Sequence, residues 1–392
     1  MRFLFATQPV RSHFHSLAPV ALAAQALGHQ VSVASGPSIA PLARRLGFDF
    51  LPCGLDLAAG DDPTVALPAQ QRAALAGAPT VVRHLVGFSA GMAPHFVRDL
   101  LERGPHWYPD VIVREPVEFG SVIAAERWGL PYATAMWAIT INPRYIMREA
   151  YTEVIRDFDL DADAIIDRFD RYLVIRSLPS EWQIVMSPDP PSTRAFAVPP
   201  FDGSHRVGLP DMLRSLPPRP TVYVTLGLSF SHAPAVFRAI IDALDGLAAN
   251  AIVTVGLSLD PEILGPVPDN VHVARYVPGN LLLPRCDAIV FHGGFNTLHA
   301  ALWHGLPSVI VPLEGGDQLP SAEQVTELGL GLHVKGPVPS AEDVRRAVTR
   351  VLEEPSFTAT ARRFQTRMHS LPPLHVAIAE LEALAKGHSL DT

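Results

Sequence analysis

Short apolar runs alternate with helix-spaced apolar positions along the first half of the chain. Residues 2 to 7 form one apolar run, and residues 31 to 35 form another. Between them, apolar side chains recur at the spacing of one helix face, with a stop at Gly28: Leu17, Val20, Ala21, Ala24 and Leu27. A further strand, helix and strand are predicted at 110–113, 118–128 and 131–136. This alternation predicts an α/β fold whose parallel sheet is covered by helices on both faces.

The same alternation starts again after residue 220. Predicted strands lie at 221–226, 251–255, 271–274, 287–291 and 308–312. Predicted helices lie between them, at 234–247, 296–304 and 319–328. We therefore predict a second parallel sheet of the same kind.

A proline-rich stretch separates the two patterns, with nine prolines between residues 188 and 220. Proline fixes φ and disfavours both helix interiors and central strands, so this stretch is expected to link two domains. The predicted organisation has four parts: an N-terminal Rossmann-like domain, a linker, a C-terminal Rossmann-like domain, and a C-terminal helix that packs back on the N-terminal domain. Their boundaries are 1–200, 201–219, 220–370 and 371–392.

Composition and charge exclude several classes of protein. Of 392 residues, 48% are hydrophobic and 18% are charged, which is far from the composition of disordered chains. The net charge of −8 and the lack of a Lys and Arg cluster argue against nucleic acid as a partner. Cys53 and Cys286 are the only cysteines, and their separation predicts neither a disulfide framework nor a zinc site, which favours a reducing cytoplasm.

Targeting and membrane segments are not predicted. Polar residues between 11 and 16 interrupt the N-terminal apolar stretch, which argues against a signal peptide. The longest run without Asp, Glu, Lys or Arg is 289–313, but it contains Gly, Pro, Asn and three His, so an integral membrane protein is not expected.

The turn 292–294, with the sequence His-Gly-Gly, follows a predicted buried strand and precedes a predicted helix. Open parallel sheets bind ligands at this edge, and glycine lets the backbone approach a ligand closely. The first N–H groups of the helix have no partner within it and lie at the positive end of its dipole, which favours a diphosphate. His292, Asn296 and Thr297 add side-chain donors, and His292 can donate to a leaving phosphate.

After this helix come Gly-Leu-Pro at 305–307 and Asp-Gln at 317–318. The whole segment 292–318 closely resembles the donor-binding segment of family 1 glycosyltransferases of the GT-B fold, which include plant secondary-metabolite and actinomycete antibiotic enzymes. The resemblance extends upstream through 222–227, 270–278 and 281–284. It implies two Rossmann-like domains whose parallel sheets face each other across a cleft, with the acceptor bound by the N-terminal domain and a nucleotide-sugar by the C-terminal one.

The resemblance also implies which residues bind the donor: Thr225, Gly227, Tyr276, Val277, His292, Gly293, Gly294, Asn296, Thr297, Asp317 and Gln318. Tyr276 and Val277 would border the base of the nucleotide. Tyr276 stands where the family often has Trp. Asp317 and Gln318 would bind sugar hydroxyls. For Asp317, a helix N-cap is the alternative role, since Asp is favoured at that position whatever the ligand.

The loop between the first strand and the first helix contains two candidate bases, His13 and His15. Transfer with inversion requires a base that removes the acceptor proton, and a neutral imidazole suits this near pH 7. In the family a histidine begins this helix, at a distance from a Gly-His pair that matches the distance from His13 to Gly28 and His29. The resemblance therefore favours His13, with His15 contacting the acceptor or the phosphate.

A carboxylate that binds the second nitrogen of the base would fix its tautomer and stabilise the imidazolium. Glu115 ends the strand predicted at 110–113, at a point where family members commonly have Asp. We predict that His13 and Glu115 form this catalytic pair. Asp110 is the alternative partner, but its place at the start of the strand favours a structural role.

Two segments outside the strand and helix alternation, 55–105 and 137–182, are rich in large apolar side chains. We expect them to form helical inserts that line an acceptor pocket, although such side chains also fill ordinary cores. The predicted acceptor contacts are His15, Phe88, Met92 and Trp137.

Together these features predict an inverting glycosyltransferase that moves a sugar or deoxysugar from a TDP- or UDP-sugar to a small apolar aglycone in antibiotic biosynthesis. No Asp-X-Asp arrangement is suited to holding a divalent cation beside the donor, so no metal or other cofactor is expected. A homodimer is a further expectation. The alternatives are a sugar-nucleotide 2-epimerase and a non-catalytic nucleotide-sugar-binding partner protein; a dehydrogenase is weaker, because no Gly-X-Gly-X-X-Gly follows the first strand.

Overall fold

The structure is a computed structural model of the whole chain. The residues described are 1–57, 62–78, 80–135, 142, 144–145, 148–167, 169, 171–184, 189–203, 213, 216–227, 233–256, 259–313, 316–336 and 338–387. They divide into two compact units. The first contains residues 1–198 together with 371–392, and the second contains 199–370.

The first unit is built on a parallel sheet of seven strands within the described residues. These strands are β1 Arg2–Ala6, β2 Gln30–Ser35, β3 Asp49–Pro52, β4 Val111–Arg114, β5 Tyr132–Ala135, β6 Val174–Arg176 and β7 Thr193–Ala195. Their order across the sheet is β3-β2-β1-β4-β5-β6-β7. The order reverses direction between β1 and β4, which makes their carboxyl ends a ligand-binding position in open α/β sheets.

Helices surround this sheet, and the last helix of the chain belongs to the same unit. They are α1 Arg11–Ala26, α2 Ala40–Arg45, α3 Ala69–Leu75, α4 Thr80–Val86, α5 Ala93–Arg103, α6 Gly120–Trp128, α7 Arg148–Arg156, α8 Ala162–Asp167 and α15 Leu374–Ala385. A single π-helical turn, Gly87–Gly91, connects α4 to α5. On α15, Glu382 pairs with His29 at 2.9 Å, and the His29 ring stacks on Phe3 of β1.

The second unit repeats the arrangement with a six-stranded parallel sheet in the order β10-β9-β8-β11-β12-β13. Its strands are β8 Thr221–Thr225, β9 Asn250–Thr254, β10 Val271–Ala274, β11 Ala288–Phe291, β12 Ser308–Ile310 and β13 Gly331–His333. Its helices are α9 Pro234–Leu244, α10 Gly279–Leu282, α11 Phe295–Trp303, α12 Gln318–Glu327, α13 Ala341–Glu353 and α14 Pro355–His369. Here the order reverses between β8 and β11.

The central strands are buried on both faces, as expected for sheets covered by helices. All four residues of β4 and all four of β11 are buried. In the second unit, Val222 and Val224 of β8 pack in one apolar cluster with Phe237 and Ile240 of α9. The α/β fold class with two parallel sheets is therefore confirmed.

The periodicity missed four short strands at positions away from the centre of the sheets, namely β3, β6, β7 and β13. Strands of three or four residues are too short to establish a period of two. Among the described residues, no helix is long and apolar enough to cross a membrane.

Candidate active site

His13 and Glu115 lie in the segments that follow the two strands at the reversal point of the first sheet. β1 and β4 are neighbours, with Ala6 paired to Arg114, so the chain leaves both strands at the same edge. After β1 the chain enters α1, whose third residue is His13. Glu115 follows β4 directly. Parallel pairing thus brings together two side chains that are 102 residues apart in sequence.

The His13 and Glu115 side chains are in contact. Nδ1 of His13 lies 3.2 Å from Oε1 of Glu115, with side-chain exposures of 14% and 0%. Because a carboxylate oxygen accepts, the hydrogen of this bond lies on Nδ1, which leaves the lone pair of Nε2 to receive a proton. This is the geometry of an oriented general base.

Two backbone N–H groups hold the Glu115 carboxylate in place. Oε1 accepts from the N–H of Gln8 at 3.2 Å, and Oε2 accepts from the N–H of Val117 at 2.7 Å. The carboxylate thus accepts three hydrogen bonds in a fully buried position, which offsets the cost of removing it from water. Its orientation toward His13 is fixed by the main chain on both sides.

A second buried carboxylate, Glu118, lies three residues further on and binds the start of α6. Both of its oxygens accept from the N–H of Ser121, at 3.1 and 3.2 Å. Burial, together with the charge of Glu115, raises the pKa of Glu118 to about 7, against the opposing effects of Arg114 and of the hydrogen bonds from Ser121. The buried Arg114 guanidinium donates to the carbonyls of Glu118 and Pro116 and to the hydroxyl of Thr134, at 2.5, 2.5 and 3.0 Å.

Gln8, Arg114 and Glu118 were not identified from the sequence. Each is a polar residue in a short loop or at a strand end, and none forms a motif with its neighbours. The only sequence feature that could have drawn attention to them is their position after predicted strands of a parallel sheet.

Among the predicted acceptor contacts, Phe88 lies beside His13, with ring centroids 5.5 Å apart. His15 lies two residues beyond His13 on α1, and its ring contacts Phe14 at 6.3 Å. Met92 is 2% exposed, so it belongs to the packing between the π-turn and α5. Trp137 lies outside the described residues.

Asp110, the alternative partner for the base, has a different role. Its carboxylate accepts from the N–H of Arg2 at 2.7 Å, so it ties the start of β4 to the start of β1. It lies at the opposite end of β4 from Glu115.

In the second unit, the loops after β8 and β11 meet in the same way, since Thr225 is paired with Phe291. The ring of His292 lies between two glycines. A Cβ on Gly227 would lie 2.7 Å from Cε1 of His292, and a Cβ on Gly294 would lie 2.3 Å from Nε2. Any larger residue at either position would therefore displace the ring. The Thr225 hydroxyl accepts from the N–H of Gly227 at 3.2 Å, which fixes the first of these turns.

Gly293 is required for a separate reason. Its φ is +96°, a conformation that side chains rarely adopt, and a Cβ there would lie 2.9 Å from the carbonyl oxygen of Gln318. Burial lowers the pKa of His292 to about 4. His292 is therefore neutral at pH 7 and can donate one hydrogen bond without carrying a charge.

The helix that follows, α11, begins at Phe295 with Gly294 as N-cap, and no side chain caps it. Gly294 cannot supply a capping oxygen, and the first turn contains no acidic side chain. Asn296 and Thr297 are half-buried in this first turn. Within the described part of the chain, this N-terminus thus has neither a side-chain cap nor an acidic first-turn residue, which favours an anion.

Asp317 and Gln318 open α12. Asp317 stands at the N-cap but its side chain makes no capping hydrogen bond, so the alternative role predicted for it is not realised. Gln318 is 1% exposed, and its Oε1 accepts from the N–H of Leu313 at 2.7 Å. Gln318 therefore shapes the loop after β12, and a contact to the sugar through its amide nitrogen stays a prediction.

Tyr276 and Val277 lie in the segment after β10. Tyr276 is 39% exposed, and its hydroxyl donates to the carbonyl of Asp202 at 3.1 Å, while Val277 is 2% exposed. The Asp202 carboxylate accepts from the N–H of Asn280 at 2.8 Å. Asp202 thus holds in place the segment that is predicted to border the base of the nucleotide.

Comparison with known proteins identifies the family. The N-terminal domain model of the erythromycin biosynthesis protein CIII-like family matches residues 22–188, and its C-terminal domain model matches residues 238–384. The chain belongs to this family. It is a glycosyltransferase.

Curated relatives match the chain over its whole length. It is 28% identical over 444 residues to the aclacinomycin-T 2-deoxy-L-fucose transferase of Streptomyces galilaeus, covering 100% of this chain and 98% of the relative. It is also 28% identical over 426 residues to the 3-alpha-mycarosylerythronolide B desosaminyl transferase of Saccharopolyspora erythraea, covering 99% of each chain.

A solved structure supports the fold of this chain over the same length. The crystal structure of glycosyltransferase VinC in complex with dTDP is similar with a TM-score of 0.76 and 26% identity, and the match covers 99% of this chain and 100% of VinC. The GT-B fold expected from the sequence is therefore confirmed.

Proposed function

We propose that this enzyme transfers a deoxysugar from a TDP-sugar to a hydroxyl group of a small apolar aglycone, with inversion at the anomeric carbon. His13 acts as the base, Glu115 orients it, and the second unit binds the donor without a metal ion. The observation that carries the proposal is the pair of His13 and a buried, triply hydrogen-bonded Glu115.

The reaction assigns a role to each atom of this pair. The acceptor oxygen attacks the anomeric carbon while the bond from that carbon to the diphosphate oxygen breaks, and TDP leaves. Nε2 of His13 takes the acceptor proton as the new bond forms. The imidazolium that results is stabilised by the Glu115 carboxylate on Nδ1. One displacement at the anomeric carbon inverts its configuration.

The donor assignment rests on the loops after β8 and β11. The uncapped N-terminus of α11 favours the diphosphate, with Asn296 and Thr297 as side-chain donors. His292 is neutral, so it donates to the leaving phosphate oxygen as negative charge develops there. Tyr276 and Val277 border the base of the nucleotide. Val277 takes part in none of the hydrogen bonds found among the described residues.

The choice of TDP and of a polyketide-like acceptor draws on the relatives. The VinC crystal structure contains dTDP, and other relatives are named for desosaminyl, rhodosaminyl and 2-deoxy-L-fucose transfer to aglycones such as aklavinone and 10-deoxymethynolide. Phe88, beside His13, supplies an apolar surface for such an acceptor.

The first test is the thermal stability of the purified protein with TDP, UDP, GDP or NAD. A ligand at about 100 times its Kd stabilises the native state by about 2.7 kcal/mol. We expect stabilisation by TDP, with UDP weaker. Stabilisation by NAD alone, or by none of the four, would contradict the donor assignment.

The second test is transfer in the presence of EDTA, with TDP-2-deoxy-L-fucose and TDP-glucose as donors and aklavinone, 10-deoxymethynolide and tylactone as acceptors. His13→Ala should abolish transfer and leave stabilisation by TDP unchanged. His106→Ala, at an exposed histidine of the same unit to which no site role is assigned, is the control and should retain turnover. Sugar release or epimerisation without transfer to any acceptor would favour the 2-epimerase alternative.

A further inference from the structure

Gln8 lies beside the His13 and Glu115 pair and is 1% exposed. It lies two residues after the end of β1. Its backbone N–H donates to Oε1 of Glu115, the same oxygen that accepts from His13. Its side-chain amide nitrogen donates to two carbonyls, those of Phe88 at 2.7 Å and Val117 at 3.3 Å.

Three hydrogen bonds among Gln8, Glu115 and Val117 form a closed ring around the carboxylate. The N–H of Gln8 donates to one oxygen of Glu115, and the N–H of Val117 donates to the other. The carbonyl of Val117 in turn accepts from the Gln8 side chain. The two backbone donors that orient Glu115 are thereby held to each other by the Gln8 amide.

The remaining bond of the Gln8 side chain leads out of this ring, to the carbonyl of Phe88. Phe88 lies on the π-turn Gly87–Gly91, a rare conformation that commonly accompanies functional sites. The Phe88 ring is 5.5 Å from the His13 ring. A single amide group therefore fixes both the support of the base and the apolar surface beside it.

Glutamine suits this position because its amide nitrogen has two N–H groups and each one meets a carbonyl. A carboxylate in its place would bring an acceptor against two acceptors, next to Glu115. A methionine would fill a similar volume and make neither bond. The two hydrogen bonds of the Gln8 side chain can therefore be removed without opening a cavity.

We propose that the Gln8 side chain is a positioning residue that sets the Phe88 surface at the acceptor side of His13, so that acceptor hydroxyl and base are aligned. The inference rests on the proposed function, because it assigns Phe88 to the acceptor. It goes further in naming the residue that couples this surface to the base. Misalignment of reacting groups by about 1 Å lowers rates by about 100-fold.

The test is a steady-state comparison of the wild type with Gln8→Met, using the donor and acceptor from the transfer screen that give the highest turnover. Gln8→Met keeps the backbone N–H to Glu115 and removes only the two amide bonds. We expect the acceptor KM to rise and kcat to fall, together about tenfold or more in kcat/KM. The donor KM and the stabilisation by TDP should stay as in the wild type.

Gln25→Met is the matched control. Gln25 lies on α1 in the same unit, and its side-chain amide donates to the carbonyl of Gly47 at 3.0 Å, away from the pair. It should reproduce a general loss of stability without a change in acceptor KM. If Gln8→Met is too unstable to assay, Gln8→Asn, one methylene shorter, should give the same change in acceptor KM and kcat.

A double-mutant cycle with Phe88→Ala tests whether Gln8 acts on acceptor binding through the Phe88 ring. Gln8 binds the backbone carbonyl of Phe88, so this hydrogen bond survives the substitution. We expect Gln8→Met to have a much smaller effect on acceptor KM in the Phe88→Ala background. Wild-type acceptor kinetics in Gln8→Met, or strictly additive effects in the cycle, would overturn the inference. Absence of wild-type transfer would instead refute the proposed function itself.

Discussion

Replacing Glu115 by Gln tests the catalytic pair with the smallest change in shape. The carboxylate accepts three hydrogen bonds, two on Oε1 and one on Oε2, and is fully buried. An amide has only one accepting oxygen. If that oxygen faces His13 and Gln8, the amide nitrogen faces the N–H of Val117, so two donors oppose each other at a distance that was 2.7 Å. In the other orientation the amide nitrogen, a donor, faces the N–H of Gln8 and the Nδ1–H of His13, which are donors as well.

The magnitude follows from these contacts. A buried N–H left without an acceptor costs about 1–3 kcal/mol, so the free energy of unfolding of Glu115→Gln should fall by that amount. The variant also lacks the negative charge that stabilises the imidazolium. General-base catalysis contributes about 10²–10⁴ in rate, so kcat should fall by a factor in that range, equivalent to about 3–5 kcal/mol of transition-state stabilisation.

The assay measures kcat, melting temperature and stabilisation by TDP for the same preparations. Glu126→Gln is the control, because Glu126 lies in the same unit and pairs with Arg171 at 3.0 Å, away from His13. It should lose some stability and keep kcat. The reasoning would be refuted if Glu115→Gln turned over within about threefold of the wild type, since the lost contribution is expected to be at least about 10².

Three further outcomes follow from other parts of the structure. Gly294→Ala, whose Cβ would lie 2.3 Å from the His292 ring, should abolish stabilisation by TDP in thermal shift, whereas Gly77→Ala, with open space around the Cβ, should not. The pKa of Glu118 is raised from 4.5 to about 7, so its protonated form stabilises the native state below pH 4.5, and this contribution is lost as pH rises to 7. In Glu118→Gln the melting temperature should therefore depend less on pH between 4.5 and 7. Both buried thiols have raised pKa values, to about 12 for Cys286, so mass spectrometry should detect no iodoacetamide labelling of native protein at pH 8, and labelling at either site would contradict their burial.

The sequence was most informative where chemistry and periodicity coincide. His13 and Glu115 could be paired from the sequence, because both follow predicted strands of one parallel sheet, whose neighbours end at the same edge. The resemblance to the glycosyltransferase family then favoured His13 over His15 and a carboxylate at position 115. The turn around His292 was found for the same reason. Gln8 was not, because a glutamine before a proline in a loop carries no periodicity, and its three hydrogen bonds reach residues about 80 to 109 positions away.

By itself the sequence determined the two parallel sheets, the loops that bear polar groups and the family, since apolar periodicity and local motifs depend only on neighbouring residues. The tertiary structure decided which further polar groups join the pair of His13 and Glu115, Gln8 among them. It buried His292 between Gly227 and Gly294 and so keeps the imidazole neutral. Burial and long-range hydrogen bonds depend on how elements pack, and packing is a property of the whole unit that no local pattern contains.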